Sequence, residues 1–384
     1  MMKYVPEMKP FTKIFAALLV LMTALSIAKA DDPLVFVSAF KSREEGAIHA
    51  YTFDSESGTL TLAHRTTDVE NPFFMTLSDD GNFLYAIHAL AFGGEENEGV
   101  AAYKVEGRSG KLSLLNRQSS KGTASCYLDI DSTGNAVVVA NYSTGDVASY
   151  SIAEGGKLSK PVSYFKHEGS SVDPKRQKSP NAHSIVVSPD NKYVFAADLG
   201  IDKVMIYKLG AEKATLTPND PAFAKLPPGS GPRHSTFHPN GKFFYVINEM
   251  TNTVSVFGYD SATGSLTDLQ IISTLPEGSE VRTHTADLKI TPDGKFLYGT
   301  NRGHDSIASY RIGDDGKLTL LNIQPSLGKG PQNLAILPDG KHLLCANMPG
   351  NNVVVFKIDP ETGELSAIGD PIEIPMPACI MIKP

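Results

Sequence analysis

Four residues of this chain have side chains that could act together on a substrate: His183, Arg233, Glu249 and Arg302. The two guanidinium groups are permanently charged, and their planar donors suit a carboxylate, a phosphate or a developing oxyanion. The histidine and the glutamate could transfer protons near neutral pH. The sequence has no Gly-x-Ser-x-Gly motif and no glycine-rich phosphate loop, so we expect no covalent serine intermediate.

Further polar residues fall close to this set, and we expect them to contribute to substrate binding: His234, Asp198, His284 and Asp287. Imidazoles and carboxylates could instead converge on a metal ion. The residues available for that alternative are Asp198, Glu249, Asp287, His183 and His284. We predict a site that uses neither a metal nor another cofactor.

The segments that carry these residues belong to an internal repeat. A Gly-x-Leu turn returns seven times at intervals of roughly 50 residues, which is typical of repeat architectures. The turns begin at Gly58, Gly110, Gly156, Ala214, Gly264, Gly316 and Gly363. A second repeat runs in phase with the first and is clearest at residues 80–85, 239–245, 292–298 and 338–344. It places Gly after Asp or Asn, a pattern that predicts a tight turn.

Each repeat unit contains four short runs with strand character, separated by turn signals. Seven such units predict an all-β fold, a seven-bladed β-propeller with four-stranded blades. Several small β domains are the alternative, but no linker interrupts the period. The first unit has only three strands, and residues 378–384 resemble an innermost strand. We therefore predict that the C-terminal strand completes blade 1, and that trimming it unfolds the ring.

The geometry of a propeller narrows the position of the site. The innermost strand of each blade runs beside the channel and the second strand returns, so the start of the first and the end of the second share one face. His183 and Arg233 stand at starts of first strands, whereas Glu249 and Arg302 stand at the ends of second strands. The spacing predicts one cluster, from blades 4, 5 and 6, at one mouth of the channel. An Asn or Asp recurs just before the variable position and is expected to hold the loops: Asn141, Asp198, Asn248, Asn301 and Asn347.

Residues 1–30 have the features of a secretory signal peptide. Three lysines precede a short apolar run, and Ala28 and Ala30 frame a cleavage site. A retained anchor is the alternative, although the run is short for a transmembrane span. We predict an exported protein, periplasmic or secreted, with residues 31–384 forming the propeller and no stable membrane span after signal removal. The formal net charge of −7 argues against a nucleic-acid partner.

The three cysteines, Cys126, Cys345 and Cys379, fall on predicted inner strands. They lack the spacing of metal ligands, and an odd number leaves at least one thiol unpaired. We expect them to be small buried apolar residues. A disulfide or a nucleophilic thiol is the alternative.

Residues 231–249 read GPRHSTFHPNGKFFYVINE and closely resemble the hallmark of the seven-bladed lactonase family. That family includes propeller-type 6-phosphogluconolactonases and fungal carboxymuconate cyclases. Residues 140–145, 197–204 and 301–307 extend the resemblance, which covers residues 33–384.

The resemblance implies that a lactone, anionic or sugar-derived, is opened by water without a metal. Arg233 and Arg302 would hold the substrate anion and stabilise the oxyanion, while His183 or Glu249 would activate the water. It also implies a role in carbohydrate and glucose metabolism. A cyclase acting on a carboxylated diene with the same residues is one alternative. A non-catalytic exported propeller that binds protein or glycan is another.

Three positions depart from the family pattern: Asn181, where a histidine is usual, Ile87-His88-Ala89 in blade 2 and Ser38-Ala39-Phe40 in blade 1. Predicted export also conflicts with 6-phosphogluconolactone, which is made in the cytosol, so another sugar lactone is a possible substrate. Two loops are expected beside the cluster: the acidic residues 93–98 and the basic residues 175–178.

Overall fold

The computed structural model describes residues 1–2, 32–41, 45–90, 93 and 98–384. Apart from residues 1–2, the predicted signal peptide lies outside these described residues, as do residues 94–97 of the acidic loop. Within the described ranges, no helix combines the length and the apolar character that a membrane crossing requires.

The strands are short and form seven antiparallel sheets of four. Blades 1 to 3 comprise β28 (Pro377–Lys383), β1 (Leu34–Ala39), β2 (Ala47–Asp54) and β3 (Thr59–Thr66); β4 (Met75–Leu77), β5 (Phe83–His88), β6 (Gly99–Val105) and β7 (Leu112–Ser119); β8 (Ser125–Ile130), β9 (Ala136–Asn141), β10 (Asp146–Ile152) and β11 (Leu158–Lys166). Blades 4 and 5 comprise β12 (Ala182–Val187), β13 (Tyr193–Asp198), β14 (Lys203–Gly210) and β15 (Thr215–Lys225); β16 (Pro232–Phe237), β17 (Phe243–Asn248), β18 (Thr253–Tyr259) and β19 (Leu266–Ser273). Blades 6 and 7 comprise β20 (His284–Ile290), β21 (Phe296–Arg302), β22 (Ser306–Ile312) and β23 (Leu318–Pro325); β24 (Pro331–Ile336), β25 (His342–Asn347), β26 (Asn352–Ile358) and β27 (Leu365–Glu373). A 3₁₀ helix, Ala211–Lys213, precedes β15.

The predicted fold class is confirmed, because the sheets are the seven four-stranded blades of a propeller. The predicted closure is confirmed as well. Strand β28 pairs antiparallel with β1 from Leu34 opposite Lys383 to Ala39 opposite Pro377, with one irregularity before Ala39. Blade 1 therefore joins the two ends of the described fold, and its inner strand has a hydrogen-bonded neighbour.

The repeated Gly-x-Leu turns join neighbouring blades. Gly316 in blade 6 has φ +78°, and a Cβ there would overlap the ring of Phe243 in blade 5. Its carbonyl accepts a hydrogen bond of 2.8 Å from the hydroxyl of Tyr245, also in blade 5. Gly363 repeats the arrangement, with its carbonyl 3.0 Å from the hydroxyl of Tyr298. Glycine is required at these turns for two reasons: φ is positive, and a ring of the neighbouring blade leaves no room for a Cβ.

The recurring Asn and Asp residues hold loops, as the sequence predicts. Asn301 is fully buried, and its Nδ2 donates to the carbonyl of Thr274 at 2.8 Å. Asn141 donates in the same way to the carbonyl of Ser120 at 3.0 Å. These bonds connect the end of a second strand to the segment that enters the blade, at the face where the predicted site lies.

The three cysteines are buried and unpaired. This confirms the expectation for Cys126, Cys345 and Cys379 and rules out a disulfide between any two of them in this structure. Burial raises the pKa of each thiol, so none is activated as a thiolate.

Candidate active site

The inner strands share an irregularity at one mouth of the channel. In six blades the pairing of the inner strand with its neighbour passes over one or two residues. The residues passed over include Cys126, His183, Arg233, Ala286, Gln332 and Ala378. His183 and Arg233, which the sequence predicts at the starts of first strands, are among them. A bulge redirects a side chain that regular pairing would send elsewhere, and bulges often lie next to active sites.

The structure brings the four principal residues together around one cavity of about 300 Å³. His183 comes from β12, Arg233 from β16, Glu249 from the residue after β17, and Arg302 from the end of β21. Part of the wall is apolar and includes Phe40, Phe73 and Met348. The cavity thus combines a few convergent polar groups with an apolar wall, as binding sites for small molecules usually do.

Glu249 is the centre of the polar cluster. Its Oε2 accepts hydrogen bonds from Arg233 Nε at 3.0 Å and from Arg302 Nη2 at 2.9 Å. Its Oε1 accepts a third, from Arg176 Nη2, at 2.7 Å. His183 Nε2 lies 3.8 Å from Oε2. One buried carboxylate therefore meets three guanidinium groups and one imidazole.

These contacts fix the charge states of the cluster. Burial would raise the pKa of Glu249, but Arg302 and Arg233 outweigh it and hold that pKa well below its usual range. Burial, with the charge of Arg302, lowers the pKa of Arg233 to about 10. At neutral pH the carboxylate is ionised and Arg233 is a cation.

His183 is a neutral imidazole at neutral pH. Burial is the main cause, and the charge of Arg233 adds to it, so that the pKa of His183 lies well below its ordinary value although Glu249 opposes the shift. Cys126 Sγ lies 3.7 Å from its Nδ1, and the ring of Tyr142 meets it edge-on at 5.0 Å between centroids. A neutral imidazole beside a carboxylate can accept a proton, since the carboxylate stabilises the resulting cation.

His234 and Asp287 lie behind Arg233 and do not line the cavity. Arg233 Nη1 is 3.0 Å from His234 Nε2, and His234 Nδ1 is 2.8 Å from Asp287 Oδ1. A guanidinium can only donate hydrogen bonds, so Nε2 of His234 is the acceptor. Nδ1 of His234 therefore carries the hydrogen and donates it in the bond to Asp287. Burial, followed by the charge of Arg233, lowers the pKa of His234 to about 3. Asp287 also accepts a bond of 2.7 Å from Lys289.

Asp198 and His284, the other expected substrate-binding residues, also stand outside the cavity lining. Asp198 is fully buried, and its Oδ2 lies 2.6 Å from Nδ1 of His167. Its Oδ1 accepts the backbone amide of Asn181 at 2.7 Å. His284 contributes its carbonyl, which accepts from Arg302 Nε at 3.4 Å. The repeat pattern places the backbones of Asp198 and His284 at the face of the propeller that carries the cavity, but it does not give the direction of their side chains.

Arg176 is the functional candidate that the alignment of blades does not include. It lies in the basic loop before blade 4, whose predicted position beside the cluster is confirmed by the contact of Arg176 with Glu249. The only sequence signal for it is the loop's charge. Of the acidic loop, Gly93 and Glu98 are described; Oε1 and Oε2 of Glu98 accept the backbone amides of Ala124 and Ser125 at 2.7 and 2.6 Å.

Metal ligation has little support in the arrangement of these residues. Across the part of the chain that the structure describes, no three His, Cys, Asp or Glu residues are grouped to hold a metal ion. Glu249 is surrounded by arginines, and Asp287 by Lys289, His234 and Asn333. Such neighbours neutralise a carboxylate in place of a cation.

Comparison with known proteins assigns the chain to a family. Residues 34–382 match the family model described as Lactonase, 7-bladed beta-propeller. The chain belongs to this family. It is 32% identical over 346 residues to the 6-phosphogluconolactonase of Bacillus subtilis, covering 90% of this chain and 97% of that one. A protein of the same name from Formosa agariphila is 34% identical over 339 residues, covering 87% and 95%.

Among solved structures, the periplasmic gluconolactonase of Pseudomonas aeruginosa is similar throughout, with a TM-score of 0.85 and 30% identity. The match covers 91% of this chain and 98% of that one. The substrates in the names of these relatives differ by one phosphoryl group.

Proposed function

We propose that this protein hydrolyses a sugar-derived lactone to the open hydroxy acid. The observation that carries the proposal is the contact of one buried carboxylate, Glu249, with three guanidinium groups beside the neutral imidazole of His183. Ester hydrolysis needs a base for water and positive charge where the carbonyl oxygen becomes negative. The cavity has groups of both kinds within one small volume.

In the proposed reaction, His183 accepts a proton as a water molecule attacks the lactone carbonyl carbon. A new C–O bond forms, and the carbonyl oxygen becomes an oxyanion. When the tetrahedral intermediate collapses, the ring C–O bond breaks, and the imidazolium of His183 returns its proton to the departing alkoxide. The product is a hydroxy acid, which loses its acidic proton to solvent. Atoms and charge balance without another reactant.

Glu249 fits the role of an anchor better than that of a base. Three arginines stabilise its ionised form, so its affinity for a proton is low. In the proposal it aligns Arg233 and Arg302 and stabilises the imidazolium of His183. It is the partner that keeps buried positive charge in place.

Arg302 and Arg233 are proposed to stabilise the oxyanion. The side chain of Arg302 is 28% exposed, whereas that of Arg233 is 2% exposed, so Arg302 is the more accessible donor. Arg233 also donates to the carbonyl of Ala286, which holds its guanidinium plane. Donors fixed before the reaction cost little reorganisation in the transition state.

We also propose that the protein is exported and acts in carbohydrate metabolism, on a glucose-derived lactone. The apolar segment with its cleavage site in residues 1–30 supports export. The name of the P. aeruginosa neighbour, a periplasmic gluconolactonase, supports the same compartment and substrate class.

The test is hydrolysis of gluconolactone and 6-phosphogluconolactone by the purified protein, compared with His183→Gln. We expect this variant to lower kcat/KM by about 100- to 10,000-fold, the usual contribution of a general base. His64→Gln is the matched control, because His64 lies on outer strand β3 and does not line the cavity. Equal rates for the wild type and His183→Gln on every lactone cleaved would contradict the proposed mechanism.

A further inference from the structure

Arg176 differs from the other two arginines of the cluster in where it comes from and how it is held. Arg233 and Arg302 belong to strands β16 and β21 and also donate to backbone carbonyls, of Ala286 and Thr285 respectively. Arg176 reaches the cavity from the loop between blades 3 and 4. The hydrogen-bond acceptors of its guanidinium are Glu249 Oε1 at 2.7 Å and the hydroxyl of Tyr142 at 3.2 Å.

The backbone of this loop is well anchored, although the arginine side chain is 37% exposed. Asp173 Oδ1 accepts the amide of Arg176 at 2.8 Å, and the carbonyl of Asp173 accepts the amide of Gln177 at 3.0 Å. Gln177 is fully buried, and its side chain donates to the carbonyl of Leu199 at 2.8 Å. The loop therefore presents Arg176 at a fixed point of the cavity edge, with its guanidinium partly open to solvent.

The cavity holds more positive than negative charge. Three guanidinium groups line it, and Glu249 is the single carboxylate among the lining residues of the described chain. Nearby carboxylates are engaged elsewhere: Glu98 accepts backbone amides, and Asp198 pairs with His167. His183 is neutral near pH 7. A surplus of positive charge in a partly enclosed cavity favours an anion as its partner.

The position of that anion follows from the accessibility of the three arginines. Arg233 is buried, whereas Arg302 Nη2 contacts Glu249 Oε2, the oxygen that lies 3.8 Å from the proposed base His183, so in the proposal Arg302 faces the reacting carbonyl. Arg176, the most exposed of the three, can exchange Glu249 for a substrate anion while Arg233 and Arg302 continue to neutralise the carboxylate. A guanidinium fork suits phosphate or carboxylate oxygens.

We infer that Arg176 determines specificity by binding an anionic substituent, phosphate or carboxylate, of the lactone away from the reacting carbonyl. This inference rests on the proposed function. It assigns to one residue the distinction between a phosphorylated lactone and its neutral counterpart. The family resemblance assigns the principal four residues to strand ends, and Arg176 is not among them.

The experiment compares kcat/KM for 6-phosphogluconolactone and for gluconolactone in the wild type, Arg176→Gln and Arg176→Lys. Arg176→Gln should reduce the preference for the phosphorylated lactone, expressed as the ratio of the two kcat/KM values, by about 10- to 100-fold. The loss should reside mainly in KM of the phosphorylated lactone. Arg176→Lys keeps the charge without the fork and should restore part of the preference. An unchanged ratio in Arg176→Gln overturns the inference.

Lys175→Gln is the matched control, because it removes a neighbouring charge from the same loop without touching the cavity lining. It should leave the ratio within about twofold of the wild type, since an exposed charge outside the site is screened by solvent. An equal decrease in both variants would indicate a general electrostatic effect and would contradict a specific role for Arg176.

Binding of inorganic phosphate, measured by calorimetry, separates the inference from the proposed reaction. Phosphate should bind the wild type more tightly than Arg176→Gln. If the wild type hydrolyses neither lactone but shows this difference, the proposed function fails and the anion site stands. If both lactones are hydrolysed and phosphate binding is the same in both proteins, the anion site fails and the proposed function stands.

Discussion

The residue type of Glu249 does not determine its role, because its environment decides whether the carboxylate can act as a base. A glutamate beside a histidine at a channel mouth could be the base of a hydrolase. With Arg176, Arg233 and Arg302 around it, its carboxylate is strongly stabilised as an anion. Burial, followed by the charge of Arg233, lowers the pKa of His183 and keeps its imidazole neutral. The pKa values of both groups are lowered, and His183 is the one that can accept a proton without disrupting three contacts with guanidinium groups.

The pH dependence of kcat/KM tests this assignment. Because the folded-state pKa of His183 is lowered, the imidazole stays deprotonated and active as pH falls through 6.5, and activity is lost only at lower pH. We expect the acid limb of the profile for a neutral lactone to have its midpoint below pH 6.5. A neutral substrate is needed so that its own ionisation does not contribute. A midpoint at or above 6.5 would contradict the role of His183.

The sequence predicted which strand ends meet, and it could not predict where each side chain points. Repeat phase gives backbone positions, and His183, Arg233, Glu249 and Arg302 do converge. Asp198 occupies an equivalent strand end, yet its side chain pairs with His167, which lies in a segment without repeat phase. Arg176 was missed as an individual residue for the same reason, since a loop position depends on long-range contacts such as that of Gln177 with Leu199.

At the scale of elements, the site depends on how the second strands end. Asn301 Oδ1 accepts from the hydroxyl of Thr274 at 2.6 Å, and its Nδ2 donates to the carbonyl of the same residue at 2.8 Å. Arg302 follows directly. The segment that enters blade 6 is therefore hydrogen-bonded to Asn301, the residue next to Arg302. The residue that repeats at this position has a structural role, and the next position, which varies between blades, carries Arg302 of the proposed site.

Asn301→Ala should lower both stability and activity. It leaves the buried polar atoms of Thr274 without this partner, so we expect the free energy of unfolding to fall by about 1–3 kcal/mol. A looser strand end should also misplace Arg302 and reduce kcat/KM. Denaturant titration and lactone kinetics provide the two measurements. Asn322→Ala, at an exposed position of outer strand β23, is the control. If both variants unfolded at the same denaturant concentration, the hydrogen bonds between Asn301 and Thr274 would not be stabilising.

At the scale of the whole molecule, polar contacts near the channel connect successive blades. Asp287 of blade 6 accepts from His234 of blade 5 and from Asn333 of blade 7, at 2.8 Å in each case. Asn333 in turn accepts the backbone amide of Ile380, in blade 1, at 2.8 Å. The position of Arg233 against His234 is thus coupled to the closure of the ring. Geometry at the cavity therefore depends on blades that supply none of the four principal residues.

Removal of residues 377–384 tests this dependence on closure. The deletion takes away β28, exposes the edge of β1 and removes the buried residues Ala378, Cys379 and Ile380 from the core. We expect the truncated protein to lose its cooperative thermal transition and to aggregate, because a ring opened at blade 1 exposes apolar surface as well as unpaired backbone. Deletion of Pro384 alone is the control, since this residue is exposed and lies beyond β28. A cooperative transition near the wild-type temperature in the longer deletion would show that the other six blades are stable without closure.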